Sequence, residues 1–573
     1  MTTSYGGTDG AGLEPRPGSR SKRHMIRRCS RSLAVPVALF LAAGCAKEEA
    51  EEPLPEQPML GPGEACDPAI VAAADTPDPE DDRDPRPICA AGLACEPLID
   101  GDTYVCGPRF EVRGRVYDAL TSVGIAGALV AALNENGEPV TDVAATDSCG
   151  EYALPISIRR NADGSFAETL KWTLVASARD YQPFPDGPRP ALPIDLADAV
   201  PNPDGPEPVD VGDTDAAGDE AGDDPPMTYT LEVIENAATR VALIPLGAAA
   251  QGVSVAGSVG ADAAGTLVVA EGAGAPAPYA IADASGAFTL FNVKAGAVTV
   301  RGYRQGVELE PAAVAVATED IADVALAVVS TDVAALATVT GSLGIVNAPG
   351  GSVTSVVLVP SSVYNAALER GPVPLGLRDP PPPAAPDVTG SFTLAGVPAG
   401  TYKVLVAFEN DSLIRDPDPG IAGTQIPEIV VAPGQMLTVD QGFKVTEALA
   451  IVAPGKDGPE PVSETPKFTW VSDSSEDGYD IVVYDALGTL IWDTTVPGGG
   501  GDITLDYGGP PLVGGMYYQF RVTSWREVQN KQLDISRTED LRGVFFRGEA
   551  PPQPECVADE PEPTTGEVAV TTG

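Results

Sequence analysis

Hydrophobic and polar positions alternate along much of the chain, and the alternation recurs in three units with the same internal order. Each unit opens with an alternating strand centred on a glycine, at Val112 to Val116, Val255 to Val259 and Val339 to Leu343. A second alternating run carries an aromatic residue and a leucine two positions apart, at Tyr152 and Leu154, Phe288 and Leu290, and Phe392 and Leu394. Because side chains alternate between the two faces of a strand, the pattern predicts β-strands with one apolar face.

A turn of the form Asp-x-x-Gly precedes the second strand of each unit. The residues that define these turns are Asp147 and Gly150, Asp283 and Gly286, and Asp387 and Gly390. The carboxylate can accept backbone N–H bonds and the glycine can adopt a positive φ, so we predict a structural role for all six. In the second and third units the match continues to a further glycine, 13 residues after the aspartate in both (283 to 296 and 387 to 400).

This repeated pattern resembles the carboxypeptidase regulatory-like domain, over roughly residues 110–446. The resemblance implies a seven-stranded, transthyretin-like β-sandwich of the carbohydrate-binding-like fold group in each unit. It does not imply peptide hydrolysis, because the zinc-binding catalytic domain of that family has no counterpart in this chain. A resemblance of this kind indicates a fold much better than it indicates a ligand.

A fourth unit, over residues 447–548, has a different aromatic pattern. Its alternating segments run from Pro466 to Trp470, from Tyr479 to Asp485 and from Leu512 to Val522. It looks like a fibronectin type III-like domain, which implies a two-sheet sandwich with Trp470 in its core. We expect Trp492 and Tyr518 to be core residues as well, whereas Trp525 is either packed or exposed for stacking on a sugar ring.

Polar segments interrupt and follow these units. Residues from Asp195 to Pro226 include many acidic residues and no Lys or Arg, which predicts a disordered loop. The segment from Asp379 to Pro386 contains four consecutive prolines, which predicts a stiff, extended insertion. The tail at 549–573 is rich in Pro, Glu and Thr, and we expect it to be disordered.

The N-terminal segment has the layout of an export signal. Residues 1–44 hold seven Lys/Arg and two acidic residues and end in an uncharged run from Leu33 to Gly44. This run of about a dozen residues is too short for a transmembrane helix, which needs about 20. Met25 is an alternative start, since a compact signal peptide also begins there.

The signal ends in Leu41-Ala42-Ala43-Gly44-Cys45, which resembles the lipobox of bacterial lipoproteins. The resemblance implies that Cys45 is lipidated and becomes the mature N-terminus, although Ala42 stands where the family usually has leucine. The residue after the cysteine is Ala46 and not Asp, which implies the outer membrane. Cleavage with free secretion is the alternative. Residues 45–64 are acidic and proline-containing, and they predict a flexible tether.

Four cysteines form a separate group at 65–108, namely Cys66, Cys89, Cys95 and Cys106. An exported chain meets an oxidising compartment, so two disulfides are expected, with three possible connectivities. A zinc site is the competing interpretation, but close Cys pairs and histidine ligands are lacking. Cys149 and Cys556 are left to bond to each other or to remain as thiols.

Charge and residue chemistry exclude several functions. The formal net charge of −47 argues against nucleic-acid binding. The single histidine, His24, lies in the segment that export would remove, so His-based catalysis and imidazole metal sites are not expected. Nucleotide-binding fingerprints are also absent. We therefore expect no enzyme activity, no cofactor, no catalytic residues and no bound metal.

The sequence thus predicts an all-β chain of tandem β-sandwiches after a small disulfide-rich module, with disordered acidic linkers. The predicted sandwiches cover residues 109–247, 248–332, 333–446 and 447–548. The predicted function is a non-catalytic scaffold or adhesin, attached to the outer membrane by its lipid, with polysaccharide or envelope proteins as partners and the periplasmic or surface side left open. The alternative is a carbohydrate-binding protein, which an exposed row of aromatic residues would favour. A weaker one is a calcium-dependent adhesive protein.

Overall fold

The computed structural model describes only part of the chain. The described residues are 59–61, 64–67, 88–89, 93–98, 103–108, 110–161, 165–202, 232–346, 354–381, 390–408, 426–446, 448–472, 476–538 and 542–548. The predicted signal segment with Cys45, Asp387, Cys556 and the C-terminal tail lie outside them. All described residues belong to the unit Gln57–Gly573. None of the helices among the described residues has the length and hydrophobicity that crossing a membrane requires.

The cysteine-rich module contains four short strands and two disulfides. The strands are β1 (Met59–Leu60), β2 (Ile88–Cys89), β3 (Leu93–Pro97) and β4 (Tyr104–Pro108). Cys66 bonds to Cys95 and Cys89 bonds to Cys106, which confirms the predicted disulfides and selects one of the three connectivities. Strand β1 pairs in parallel with β2, so regular structure begins inside the predicted tether.

The first sandwich follows directly and is joined to this module by a buried ion pair. Its strands are β5 (Phe110–Asp118), β6 (Leu129–Asn134), β7 (Ala144–Ala145), β8 (Glu151–Ile156), β9 (Lys171–Ser177), β10 (Ile194–Asp195), β11 (Val200–Pro201), β12 (Glu232–Ile234) and β13 (Arg240–Leu243). One sheet has the order β10-β9-β6-β7, and β5 is central in the other, between β8 and the parallel strands β12 and β13. Arg160 Nε lies 3.0 Å from Glu96 Oε2 of the cysteine-rich module.

The acidic insertion begins later than its composition predicts. Residues 195–202 carry β10, a 3₁₀ turn at Leu196–Asp198 and β11, which pairs with β12. Asp195 caps this turn, since its side chain accepts a hydrogen bond from Ala197 N. Residues 203–231 lie outside the described part of the chain.

The second and third sandwiches share one plan. The second comprises β14 (Val253–Ser258), β15 (Leu267–Glu271), β16 (Tyr279–Ile281), β17 (Ala287–Val293), β18 (Gly296–Tyr303), β19 (Glu308–Leu309), β20 (Ala312–Val316), β21 (Ile321–Ala325) and β22 (Val328–Ser330). The third comprises β23 (Ala337–Val346), β24 (Thr354–Pro360), β25 (Arg378–Asp379), β26 (Ser391–Val397), β27 (Gly400–Phe408), β28 (Glu428–Val431) and β29 (Met436–Thr446). Each contains a three-stranded and a four-stranded sheet, in the orders β17-β14-β21 and β16-β15-β18-β20, and β26-β23-β29 and β25-β24-β27-β28.

The fourth sandwich has a three-stranded and a six-stranded sheet. Its strands are β30 (Ile451–Ala453), β31 (Glu460–Val462), β32 (Lys467–Val471), β33 (Gly478–Asp485), β34 (Leu490–Pro497), β35 (Asp502–Asp506), β36 (Tyr517–Val528), β37 (Lys531–Arg537) and β38 (Val544–Arg547). Further 3₁₀ turns lie at Ala237–Thr239, Ala248–Ala250, Ala261–Ala263 and Val333–Ala335. The described residues confirm the all-β class with tandem sandwiches.

The strand glycine of each repeated unit pairs with the aromatic residue of the second strand. Gly114 lies opposite Tyr152, Gly257 opposite Phe288 and Gly341 opposite Phe392. A Cβ on Gly257 would lie 1.9 Å from Val324 O of the parallel strand and 2.8 Å from the Phe288 ring. The glycine is therefore required because a neighbouring strand and a ring both approach the backbone at this point.

Three strands carry continuous apolar runs instead of alternation, at residues 129–133, 267–270 and 356–359. In β6, Val130 and Ala132 enter the core of the first sandwich. In β15, Val268 and Ala270 enter the second core, whereas Leu267 and Val269 pack against the third. Strands of this kind are apolar on both faces because a neighbouring sandwich covers the outer face.

Candidate functional site

A cavity of about 490 Å³ lies where the first three sandwiches meet. The outer face of β6 contributes Leu129, Ala131 and Leu133, which are two residues apart and so share one side of the strand. Strands β15, β16 and β24 contribute apolar side chains from the other two sandwiches, including Leu267, Ile281 and Val357. The volume and the apolar lining are in the range of small-molecule sites.

Three charged residues that line this cavity have bonding partners within the protein. Asp283 Oδ1 accepts hydrogen bonds from Ser285 N and Ala287 N, and its Oδ2 accepts one from Val143 N of the first sandwich. Arg370 Nη1 donates to Gly187 O at 2.5 Å. The carboxylate of Asp186 accepts from Gly187 N, and burial raises its pKa above the ordinary value. The bonds of Asp283 and Arg370 join sandwiches to each other, whereas those of Asp186 lie within the first sandwich.

Arg378 also lines the cavity, and it has fewer bonding partners than these three residues. It lies on β25, opposite Val357 of β24, and its Nε donates to Ser355 Oγ at 3.0 Å. Burial lowers the pKa of the Arg378 guanidinium, and no acidic residue in the described part of the chain opposes this shift. Within the described residues, Arg378 makes no ion pair.

The predicted turn residues have closely similar geometry in the first two units. Asp147 Oδ1 accepts bonds from Cys149 N and Glu151 N, just as Asp283 Oδ1 accepts from the equivalent N–H groups. Gly150 and Gly286 have φ of 78° and 83°, which a side chain would disfavour. Asp387 lies outside the described residues, and Gly390 directly precedes β26.

Among the residues that the structure describes, the same turn occurs at two further positions where we did not predict it. Asp485 Oδ1 accepts bonds from Leu487 N and Thr489 N, and Gly488 has φ of 82°. Asn134 Oδ1 accepts bonds from Asn136 N and Glu138 N, and Gly137 has the same φ of 82°. The Asx-x-x-Gly spacing in the sequence is the signal that could have found both.

A loop of the third sandwich contacts all three other sandwiches. This docking loop, residues 361–377, connects β24 to β25. Ser362 O accepts a bond from Ala277 N of the second sandwich, and Arg370 donates to Gly187 O of the first. Glu369, the residue before Arg370, pairs with the fourth sandwich instead. Glu369 has φ of 54°, an uncommon backbone conformation for a residue with a side chain.

Glu369 is the centre of a buried ion cluster between the third and fourth sandwiches. Its carboxylate lies 2.9 Å from Arg521 Nη2 and 2.8 Å from Arg537 Nη1. The side chains of Glu369 and Arg521 are 13% and 4% exposed, respectively. A second, polar cavity of about 260 Å³ lies beside this cluster and is lined by Glu369, Arg521, Arg537 and Asp534. Burial raises the pKa of Asp534. The cluster binds two sandwiches that are adjacent in sequence through residues about 150 positions apart (369 and 521).

Most aromatic residues of the fourth sandwich pack in its hydrophobic core. Trp470 and Tyr518 are buried, and Trp492 packs against the same cluster. Trp525 is half-buried, and its ring lies over Gly478, where a Cβ would come within 2.4 Å of it. Among the Phe, Tyr and Trp side chains whose burial the structure describes, none is fully exposed.

The cysteines outside the N-terminal module are only partly described. Cys149 is disulfide-bonded, and its partner lies outside the described residues, as Cys556 does. A free thiol at Cys149 is therefore excluded. Cys66, Cys89 and Cys95 lie close enough to share a metal ion, but all three sulfur atoms are in disulfides, which leaves no thiolate there to bind zinc.

Comparisons with known proteins give no family. No protein-family model and no characterised protein matches the chain. Among solved structures, the Bacillus anthracis TIE protein aligns at 10% identity over 74% of this chain and 68% of its own, with a TM-score of 0.13. The fibronectin(III)-like modules of Clostridium thermocellum CbhA align at 13% identity over 37% and 87%, with a TM-score of 0.13. BcpA, the major pilin subunit of Bacillus cereus, aligns at 13% identity over 77% and 99%, with a TM-score of 0.14. At sequence identities and TM-scores this low, the alignments give no information about function.

Proposed function

We propose that this chain is a non-catalytic, lipid-anchored envelope protein in which four β-sandwiches form a connected scaffold. The observation that carries the proposal is the docking loop, because its 17 residues (361–377) bond to the first, second and fourth sandwiches. A string of independent modules would not need such contacts, since relative motion is usual between domains that share little interface. The chain uses its buried charges to connect sandwiches and not to perform chemistry.

The charged residues that line the two described cavities support a non-catalytic protein. Asp283, Arg370 and Glu369 each bond to an atom of another sandwich. The chain has one histidine, at position 24, so an imidazole base is not available to any described site. Each of these groups has a sufficient structural explanation.

The carbohydrate-binding alternative has weaker support. Sugar rings are commonly held by stacking on aromatic faces, and this requires aromatic side chains at the surface. None of the aromatic side chains whose burial the structure describes is fully exposed, and the ring of Trp525, the best candidate in the sequence, is half-buried over Gly478. The scaffold interpretation therefore ranks first, with other envelope components as its proposed partners.

Anchoring at the outer membrane through Cys45 is part of this proposal and rests on the sequence. Mutation of Cys45 to Ala should abolish lipidation, because the thiol is the group that would carry the lipid. We expect the wild-type protein to be recovered from the membrane fraction with a lipid-modified Cys45 as its first residue. The C45A protein should instead retain its signal segment or be released. Intact-mass measurement of both proteins distinguishes these forms.

Cys29→Ala is the matched control, since Cys29 lies in the segment that export would remove. It should leave the mature mass and the membrane association unchanged. Protease treatment of whole cells then separates a surface location from a periplasmic one. A wild-type protein that is soluble with an unmodified Cys45 would refute the anchor and favour free secretion.

A further inference from the structure

The cavity between the first three sandwiches has a composition that the scaffold proposal does not explain. Its walls are mainly aliphatic, with Leu129, Leu133, Leu267, Ile281 and Leu375 among the lining residues. Adjoining surfaces that serve only to hold sandwiches together normally interdigitate at high density, so an open apolar space between them is not explained by docking alone. An apolar space of about 490 Å³ is large enough for a small molecule.

The charged residues at this cavity differ in how many of their hydrogen-bonding groups have partners. Asp283 and Arg370 bond across sandwich boundaries, and Asp186 accepts from Gly187 N and from Gln182 Nε2. Arg378 has only the bond from its Nε to Ser355 Oγ among the described residues. Its Nη1 and Nη2 groups have no bonding partner among the described residues, so they are cationic donors available at the cavity wall.

The charge of the chain makes this arginine notable. Acidic residues outnumber Lys and Arg by 82 to 35, yet no described carboxylate pairs with Arg378. A half-buried guanidinium without an anion is unfavourable, and a ligand carboxylate would supply the bidentate partner that its geometry suits. A ligand that fits this site therefore needs a carboxylate for Arg378 and an apolar part for the aliphatic wall.

We propose that this cavity binds an aliphatic carboxylate, with its carboxylate on Arg378 and its chain against the apolar faces of β6, β15 and β16. The site goes beyond the scaffold function and does not depend on the lipid anchor. Three sandwiches contribute to it, so it exists only when they are joined as described.

Isothermal titration of the full chain with decanoate and with 1-decanol, at monomeric concentrations, tests this site. The two probes share an apolar chain and differ in charge. We expect decanoate to bind with a stoichiometry of one and at least about tenfold more tightly than 1-decanol, because a charge-assisted hydrogen bond adds more than a neutral one. Arg378→Met should remove this preference and leave 1-decanol binding unchanged, whereas Arg378→Lys should keep part of the preference.

Two further variants distinguish binding in this cavity from nonspecific binding elsewhere on the protein. Arg240→Met removes a cation whose side chain is 64% exposed on the first sandwich, and it should leave decanoate binding unchanged. Ala131→Phe should fill the cavity and weaken both probes, with thermal unfolding used to show that the variant is folded. The proposal is overturned if wild-type protein binds neither probe, if it binds both equally, or if folded R378M binds decanoate as tightly as wild type does.

Discussion

Replacing Glu369 with Gln should destabilise the protein by about 3 kcal/mol, because it leaves two buried guanidinium groups without their shared carboxylate. Arg521 is the more costly of the two, since its side chain is only 4% exposed. Glutamine has nearly the same volume as glutamate and keeps one hydrogen-bond acceptor, so the loss of stability measures mainly the effect of removing the negative charge. Chemical denaturation monitored by tryptophan fluorescence measures the change in the free energy of unfolding.

Glu428→Gln is the matched control for the ion cluster. Glu428 pairs with Lys403 at 2.8 Å within one sandwich, but its side chain is 51% exposed. Exposed pairs contribute little because water screens them, so the control should cost less than about 1 kcal/mol. Equal effects of the two mutations would show that the Glu369 cluster is not a buried connection between sandwiches.

Replacing Gly257 with Val should cost about 3 kcal/mol, at the upper end of the usual range for overpacking. The new Cβ would lie 1.9 Å from Val324 O, and a backbone carbonyl can move away only if strand β21 separates from β14. The Phe288 ring, 2.8 Å from the same Cβ, blocks the other side. Thermal or chemical unfolding of the purified variant gives the change in free energy.

Gly458→Ala tests whether the effect at Gly257 is specific to its surroundings. A Cβ at Gly458 meets no atom within 4 Å, and its φ is outside the positive region. We expect a change of less than about 0.5 kcal/mol there, as for other surface substitutions. If G257V changed the free energy of unfolding as little as G458A does, the conclusion that strand β21 approaches Gly257 closely would be wrong.

The strands and turns were predictable from the sequence because they depend on local patterns. Alternation identified the opening strand of each unit. The sequence also showed that Gly257 lies at the centre of one such strand and that Phe288 is the aromatic residue of the next alternating run. Their pairing across two strands was not predicted, because the sequence shows each strand separately and the register comes from the assembled sheet. The turn at Asp283 was predicted from the same chemistry that places it in the structure, namely a carboxylate that accepts N–H bonds from the next residues.

The arrangement of the sandwiches was not predicted. The unbroken apolar runs at 129–133, 267–270 and 356–359 are typical of strands covered on both sides, but each sandwich was predicted as a separate unit. Glu369 and Arg521 are separated by about 150 residues, and a single sequence offers no signal that pairs them. The environment of Trp525 was also left open, since it depends on Gly478 of a neighbouring strand. Contacts that are distant in sequence therefore had to come from the structure.

Differential scanning calorimetry of the full chain tests most directly whether the four sandwiches are joined into one scaffold or are independent modules. We predict one cooperative transition, with equal calorimetric and van't Hoff enthalpies, because the docking loop and the shared apolar faces couple the sandwiches. Several separated transitions, each with the enthalpy of a single sandwich, would show that the modules unfold independently and would contradict the scaffold.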